Sequence, residues 1–320
     1  MNKKEILETL KSHLQIAIEL EHSTLPPYLY ACWSIQGNSP QAKEATQLLL
    51  SVIREEMLHM AMACNILNAI GGSPSINHDE FVPSYPGYLP GHSHTANAFT
   101  VHLEKFSTSA IDTFMKIELP ARFTENPEHG KRWATIGEFY EEIIELINSP
   151  ELTDEDFRGG KQIDNSAYPA HGKLFTVNSK QDAIDAVDEI IDQGEGLEGN
   201  EFDAEHELTH FFRFKKASDL MTSKSWDWPN EVLPVATDPE DHYFPDEAKE
   251  INRQFNAVYS GLLDEMHDAF NKEGGTMDKA IDIMFELIPL AKKLMTIPMK
   301  TKVGNCGPTF IYVKPEFVKK

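Results

Sequence analysis

The stretch that decides the fold is REEMLHMAMACNILNAIGG, residues 54–72. It predicts the second half of a long helix, because no proline interrupts the chain from Gln41 to Ile70 and two glycines then favour a helix end. Glu56 and His59 lie within the apolar stripe of this helix. A buried carboxylate is costly unless it is paired or bound to a cation, and residues at i and i+3 project side by side. The pair therefore predicts one half of a metal-binding site.

The same Glu-x-x-His spacing recurs at Glu207 and His210. This copy lies in another predicted helix, from about Asp203 to about Met221, whose apolar residues flank the pair. One copy is weak evidence, because any acidic helix that contains a histidine can produce it. Two copies on two helices are more specific, and they indicate a pseudo-symmetric pair of helices that face a common site.

The first predicted helix, residues 3–25, places one more acid on an apolar face. Glu21 lies on the apolar stripe of this helix, whereas Glu19 lies on its polar face. We therefore expect Glu21 to be the buried carboxylate of the two. A buried acid of this kind again calls for a positive partner or a cation.

The chain after this helix predicts how its acid meets the Glu-x-x-His helix. Pro26 and Pro27 predict a bend, followed by a short helical piece. A tight connection at residues 37–40 then predicts that the next helix returns antiparallel to the first. This topology brings Glu21 within reach of Glu56.

Two further helices offer carboxylates. One is predicted at residues 107–119, with Glu118 near its end, and one at residues 135–148. The second begins with Thr135 and Glu138, whose spacing is also that of a capping box. For Glu138, a role as a helix cap therefore competes with a role as a metal ligand.

The bulk composition limits the class of protein. The 320 residues are 41% hydrophobic and 25% charged, as in an ordinary globular protein. No apolar run approaches the roughly 20 residues that span a bilayer, and the N-terminal residues lack the apolar core of a signal peptide. We therefore expect a cytoplasmic protein. The net charge of -22 argues against a nucleic-acid or membrane partner, and three scattered cysteines argue against a disulfide framework.

Five short motifs follow one another along the chain: EHSTLPPYL (residues 21–29), EEMLH (55–59), TIGEFY (135–140), QGEG (193–196) and ELTHF (207–211). Together they resemble the ferritin-like family related to the iminophenyl-pyruvate dimer synthases of bisindole pigment pathways. The resemblance extends from about residue 6 to the GPTF segment at residues 307–310. It implies an all-α fold, a ferritin-like four-helix bundle with additional helices and long ordered loops. We expect residues 1–222 to form the bundle and residues 223–320 a helical extension packed on it.

The resemblance also implies a dimetal site. The metal ligands that it implies are Glu21, Glu56, His59, Glu138, Glu207 and His210. Glu118 and Glu195 are the alternatives to Glu138. The implied cofactors are two iron ions, with manganese or zinc as alternatives, because these metals suit mixed carboxylate and imidazole ligands. The implied activity is an oxidation of a small organic substrate by dioxygen, and a small homo-oligomer is the default expectation.

Three other hypotheses compete with this one. The same ligands would serve a protein that oxidises or stores iron. The metals, or zinc alone, would also serve as structural ions in a scaffold without catalysis. A metal-free helical bundle is the third, but it needs buried partners for Glu21, Glu56 and Glu207, for which only Arg54 and Arg213 are close in the sequence.

Overall fold

The structure, a computed structural model, describes residues 1–90, 99–120, 135–164, 174–194, 200–273, 276–300 and 302–314. These residues form α-helices joined by loops and short 3₁₀ turns, and they contain no β-strand element, which confirms the all-α prediction. The helices are α1 (Lys3–Ser34), α2 (Pro40–Ala69), α3 (Thr108–Ile117), α4 (Ile136–Ile147), α5 (Lys180–Gly194), α6 (His210–Thr222), α7 (Trp228–Glu231), α8 (Asp246–Asn271) and α9 (Met277–Leu294). No helix among these residues is both long enough and apolar enough to cross a membrane.

The two longest helices, α1 and α2, form the centre of the molecule. A short connection joins them, and they run antiparallel, since Thr24 hydrogen-bonds Glu56 while Glu21 approaches His59. Their facing residues are almost all buried. The predicted antiparallel return is therefore confirmed, and it brings the acid of the first helix to the Glu-x-x-His of the second.

Both ends of α2 follow from local sequence. Ser39 caps its N-terminus by accepting a hydrogen bond from the backbone of Ala42, and proline occupies the first helical position. At its C-terminus Gly71 takes a left-handed φ of 71°, and the backbone N–H of Gly72 donates to the carbonyl of Leu67. This is the Schellman arrangement that a glycine after a helix favours. The predicted helix end is confirmed.

The predicted bend at the proline pair does not divide the first helix. α1 continues as one helix through Pro26 and Pro27 to Ser34. Proline has no N–H, so Pro27 leaves the carbonyl of Ser23 without its partner four residues on. The hydroxyl of Tyr85, from the loop after α2, donates to this carbonyl at 2.6 Å. A side chain distant in sequence thus replaces the lost backbone hydrogen bond.

The start of α6 also differs from the prediction. The helix begins at His210, with Thr209 as its N-cap, and not near Asp203. The carboxylate of Asp203 accepts hydrogen bonds from the backbone N–H groups of Glu205 and Glu207, and Phe202 forms a β-bridge with Leu208. Because aspartate readily binds nearby backbone N–H groups in turns, this loop competes successfully with the helix. Glu207 therefore precedes the helix that carries His210.

The remaining helices surround the central pair. α3 packs on α6 and α4 packs on α5, while α5 and α6 both contact α2. α8 and α9 pack chiefly on each other, and they also meet α2 and α1 respectively. One continuous apolar core includes residues from all of these helices except the short α7. The middle of α1 and α2 therefore lies between the α3–α6 pair, the α4–α5 pair and the α8–α9 pair.

Candidate metal centre

Two groups of potential ligands meet at the middle of α1 and α2. Glu21, Glu56 and His59 form one group, and Glu56, Glu118 and His210 form the other. Within each group the potential ligand atoms lie within 4.8 Å of one another. All five side chains are buried, the most exposed of them at 5%. Glu56 belongs to both groups, so the groups adjoin.

Each of the three carboxylates is oriented by one hydroxyl group. Tyr140 donates a hydrogen bond to Oε1 of Glu21, Thr24 donates to Oε2 of Glu56, and Tyr28 donates to Oε1 of Glu118. In each carboxylate the other oxygen faces a histidine. The three hydroxyls therefore aim one oxygen of each carboxylate towards the two imidazoles.

The two histidines are oriented from behind in the same manner. Nε2 of His59 lies 2.9 Å from Oε1 of Gln193, and Nε2 of His210 lies 2.9 Å from Oε2 of Glu55. Both partners are acceptors, so each Nε2–H donates outward and Nδ1 faces the carboxylates. Partners of this kind set the tautomer and direction of metal-binding histidines.

Glu55 is itself held by a buried arginine. Nη1 of Arg213 lies 2.7 Å from Oε2 of Glu55, and both side chains are almost fully buried. Burial raises the pKa of Glu55, but the contacts with His210 and Arg213 outweigh it and bring the pKa below the ordinary value. Glu55 is therefore an ionised carboxylate behind His210, as in the carboxylate–histidine pairs of metal sites.

The pKa values indicate an excess of negative charge. Burial, followed by the charge of Glu118, raises the pKa of Glu56 to about 7. Burial opposes protonation of His210, yet its contacts with Glu118, Glu55 and Glu56 raise its pKa well above the ordinary value. The pKa of His59 is also raised, because Glu21 and Glu56 outweigh its burial. The cluster thus retains protons at positions where divalent cations would offset the same charge.

The contact between His210 and Glu56 is compatible with a shared cation. Nδ1 of His210 lies 2.8 Å from Oε1 of Glu56, yet it makes no hydrogen bond to any described residue. A contact of this length between an imidazole nitrogen and a carboxylate oxygen needs either a retained proton or a shared cation to offset their charge. This geometry and the carboxylate–imidazole donor set fit divalent metal ions.

The structure brings four of the six predicted ligands together: Glu21, Glu56, His59 and His210. Glu118, the predicted alternative, completes the second group from the C-terminal end of α3. Glu138 lies in neither group. It is half-buried in the first turn of α4, where its backbone N–H donates to Thr135. Glu195 lies outside the described residues.

Glu207 lies in neither group either. Its side chain is 37% exposed, and its Oε2 lies 3.3 Å from Nη2 of Arg213. Because α6 begins only at His210, the i, i+3 relation of a helix does not apply to this Glu-x-x-His.

Several residues of the site carry no strong signal in the sequence. Tyr28 and Tyr140 look like core aromatics, and burial together with the neighbouring carboxylates raises the pKa of both hydroxyls well above the ordinary value. Thr24 and Gln193 look like ordinary helix residues. Their positions inside the EHSTLPPYL, TIGEFY and QGEG motifs are the only sequence feature that distinguishes them.

A small cavity of about 20 Å³ adjoins the ligands. Apart from the ligands and their hydroxyl partners, its lining is apolar or glycine and includes Ile117, Ile136, Gly137, Ile190, Ile191 and Gly194. A cavity needs about 10–15 Å³ to hold one water molecule. The space beside the ligands therefore admits a molecule the size of water, and much of its lining is apolar.

A protein-family model described as Ferritin-like matches residues 14–219. The chain is 26% identical to dichlorochromopyrrolate synthase of Lentzea aerocolonigenes, over 85% of this chain and 30% of that protein. It is 27% identical to 2-imino-3-(indol-3-yl)propanoate dimerase of Chromobacterium violaceum, over 93% of this chain and 33% of that protein. The chain thus spans about a third of the length of these curated relatives. The resemblance drawn from the motifs is confirmed.

A solved structure confirms the fold. A ferritin-like protein from Caulobacter vibrioides superposes with a TM-score of 0.69, over 95% of this chain and 97% of that one. The two sequences are 24% identical, so the likeness concerns the fold alone. It extends beyond the residues that the family model matches and includes the segment that carries α8 and α9.

Proposed function

The chain belongs to the Ferritin-like family, and from that premise we propose that it is an oxidoreductase with a dinuclear metal site. The proposed metals are two iron ions, with manganese or zinc as alternatives. The proposed ligands are Glu21, Glu56, His59, Glu118 and His210. In this proposal dioxygen is the oxidant and a small organic molecule of secondary metabolism is the substrate.

The observation that supports the proposal is that the two polar atoms of each side chain in the cluster have different partners. Each carboxylate gives one oxygen to a hydroxyl and turns the other towards an imidazole. Each imidazole binds an acceptor behind it and turns Nδ1 inward. Five such atoms converge in a buried space, where either retained protons or bound cations must offset the charge of the three carboxylates. Glu56, which belongs to both groups, is the natural residue to contact both metals.

Bound iron would supply the redox chemistry that activates dioxygen for oxidation of the substrate. The chain supplies the surroundings. Tyr28 and Tyr140 keep their protons near neutral pH and hold Glu118 and Glu21 in place. The apolar walls at Ile117 and Ile190 exclude bulk water from the ligands.

The substrate class is proposed from the relatives. One of them is named as a dimerase of 2-imino-3-(indol-3-yl)propanoate, a small aromatic acid derivative. The name of the other also denotes synthesis of a small organic compound. Because this chain spans about a third of each relative, the complete reaction of either protein is not carried over to it.

The metal content of two matched variants tests the ligand set. Wild-type protein loaded with iron(II) without air should retain about two iron ions per chain after desalting. Glu118→Gln should lose at least one of them, whereas Glu138→Gln, a change of the same size in the first turn of α4, should retain both. Mass spectrometry of the metals gives the counts, and circular dichroism establishes that both variants are folded.

Oxygen uptake by the iron-loaded protein tests the reaction. Uptake that needs an added organic substrate supports the oxidoreductase proposal. Uptake that instead follows added iron(II) in large excess would indicate an iron-handling protein. Metal that binds and consumes no oxygen would indicate a structural site, and a wild-type protein that retains no metal would overturn the proposal altogether.

A further inference from the structure

A second cavity lies on the opposite side of the α1–α2 pair, beneath α8 and α9. Its volume is about 250 Å³, more than ten times that of the cavity beside the metal ligands. Its deepest walls include the buried rings of Trp33, Tyr259 and Phe310. Its outer wall, on α9, includes Phe285 and Ile288, which remain 57% and 38% exposed. Large apolar side chains that stay partly exposed beside an apolar cavity suggest that something else covers them.

Helical periodicity separates this cavity from the metal ligands. On α1 the cavity is lined by positions 22, 25, 26, 29 and 33, and on α2 by positions 50, 53, 54 and 57. Both series follow the i, i+3, i+4 and i+7 spacing of one helical face. The potential ligands Glu21, Glu56 and His59 lie on the other face. The cavity is therefore a separate site that shares its two supporting helices with the metal cluster.

The cavity is lined by flexible and aromatic side chains. Four of the eleven methionines in the chain contribute to it: Met57, Met266, Met277 and Met284. Methionine adapts to the shape of a ligand, and its sulfur makes favourable contacts with aromatic rings. An engineered apolar cavity of about 150 Å³ binds benzene, so about 250 Å³ accommodates two fused rings.

Two polar features lie at opposite ends of the cavity and would orient a bound ligand. Arg54 is the only charged residue among the described residues of the lining; it is exposed and forms no ion pair within the described chain. An unpaired guanidinium is notable in a chain with a net charge of -22. At the buried end, Nε2 of His22 lies 2.7 Å from the hydroxyl of Tyr259, and Nδ1 of the same ring has no hydrogen-bond partner among the described residues. The site thus offers a cation at its exposed edge and one free polar position inside.

We propose that this cavity binds an aromatic carboxylic acid of one or two fused rings, with the rings among the methionines and aromatic side chains and the carboxylate at Arg54. Arginine suits this role because its planar guanidinium binds a carboxylate through two parallel hydrogen bonds. Nδ1 of His22 offers a hydrogen bond to a polar atom of the ring system. The ligand is bound without a chemical step, and the proposal does not depend on the metal site.

Calorimetric titration with 1-naphthylacetate, its neutral amide and decanoate tests the proposal on the metal-free protein of 320 residues. The acid should bind saturably to one site and more tightly than decanoate. Arg54→Gln should weaken binding of the acid about tenfold, the scale of one lost charge-assisted hydrogen bond, and change binding of the amide less than about twofold. Lys43→Gln removes an exposed positive charge from the same helix outside the cavity and should change neither affinity.

Filling the cavity provides the second arm of the test. Ala280→Phe and Met284→Trp each replace a smaller side chain of the lining with an aromatic ring that fills part of the cavity. Both variants should abolish binding of the acid and of the amide. Two variants are used so that the test can still be made if one of them does not fold. Binding that survives both substitutions in folded protein would overturn the site, and so would an absence of saturable binding to the wild type. Decanoate binding more tightly than the aromatic acid would overturn the ligand class. Metal content measured on separate samples of the same variants after loading with iron(II) reports independently on the dimetal proposal.

Discussion

The two faces of the α1–α2 pair have opposite chemistry. One face carries carboxylates and imidazoles around a cavity of about 20 Å³, and the other carries methionines and aromatics around a cavity of about 250 Å³. Residues adjacent in sequence divide between them: Glu21 lies on the first face and His22 on the second, and the same holds for Glu56 and Met57. The polar face is held by hydrogen bonds from several helices, whereas the apolar face is enclosed by adaptable side chains. The difference suggests a preorganised site on one side and an accommodating site on the other.

Replacing the arginine beside each face should give the largest difference in the free energy of unfolding: Arg213 contacts Glu55 behind the polar cluster, and Arg54 lines the apolar cavity. Arg213→Met should lower the free energy of unfolding by about 3–5 kcal/mol, because it leaves the buried carboxylate of Glu55 without its cation. Arg54→Met should change it by less than about 0.5 kcal/mol, because Arg54 is exposed and forms no ion pair within the described chain. Urea unfolding followed by circular dichroism measures both values.

A double variant determines whether charge is the cause of that loss. Glu55→Gln combined with Arg213→Met removes both members of the buried pair and should be more stable than Arg213→Met alone. If the double variant is instead as unstable as the sum of the two single variants, then packing, and not the unpaired charge, explains the effect. Similar losses for Arg213→Met and Arg54→Met would contradict the contrast between the faces.

The sequence predicted much of the polar face because the relevant signals are local. Glu21, Glu56 and His59 lie on regular helices, so their place on an apolar stripe indicates which way they point. The antiparallel arrangement follows from a connection too short for any other. For such residues, periodicity and the cost of burying charge suffice to predict that they meet.

The two Glu-x-x-His motifs show where local signals stop being sufficient. The copy at Glu56 and His59 lies within α2, whereas the copy at Glu207 and His210 is divided by a turn that Asp203 stabilises. The same spacing therefore has different geometry in the two places. Whether Asp203 prefers its turn or a helix is a small energy difference that depends on the surrounding packing, which spacing does not reveal.

The identity of the third ligand of the second group, Glu118, depends still more on how the helices pack. Glu118 and Glu138 both lie at helix ends, in α3 and α4, and the sequence does not distinguish them. Glu118 reaches the cluster because α3 packs on α6, which brings it to His210 and to the hydroxyl of Tyr28. Contacts between helices so far apart in sequence are a property of the tertiary structure.

Metal removal should have the next largest effect, and it should be confined to the polar face. If manganese(II) binds the cluster, then a free concentration 100 times the dissociation constant should raise the free energy of unfolding by about 2.7 kcal/mol. Chelation with EDTA should remove the increment. Urea unfolding with and without the metal measures it, and Glu56→Gln should abolish it because Glu56 belongs to both groups.

Met57→Leu is the matched control for this measurement, since it alters the neighbouring residue on the apolar face and conserves volume. It should retain the whole increment. Equal increments in Glu56→Gln and the wild type would show that the metal binds elsewhere, and loss of the increment in Met57→Leu would show that the two faces are not independent.

The smallest effect concerns the point where the two faces share the backbone of α1. Tyr85→Phe removes the hydroxyl that donates to the carbonyl of Ser23, which Pro27 leaves without its helical partner. Ser23 is fully buried, and a buried acceptor that loses its donor costs more than an average hydrogen bond, so the free energy of unfolding should fall by about 1–2 kcal/mol. Tyr88→Phe, in the same loop but 55% exposed, should have an effect below about 0.5 kcal/mol.

The contact between Tyr85 and Ser23 also affects both binding sites, because both depend on the path of α1. Ser23 lies between Glu21 on the polar face and Leu25 in the wall of the apolar cavity. If the hydroxyl of Tyr85 fixes the path of α1 there, Tyr85→Phe should weaken both manganese(II) and 1-naphthylacetate binding by a similar small factor. Weakening of one alone would mean that each face is positioned by its own contacts. Equal stability of Tyr85→Phe and Tyr88→Phe would instead show that solvent or the helix itself satisfies the Ser23 carbonyl. In that case α1 would continue through its prolines without the hydrogen bond from the loop.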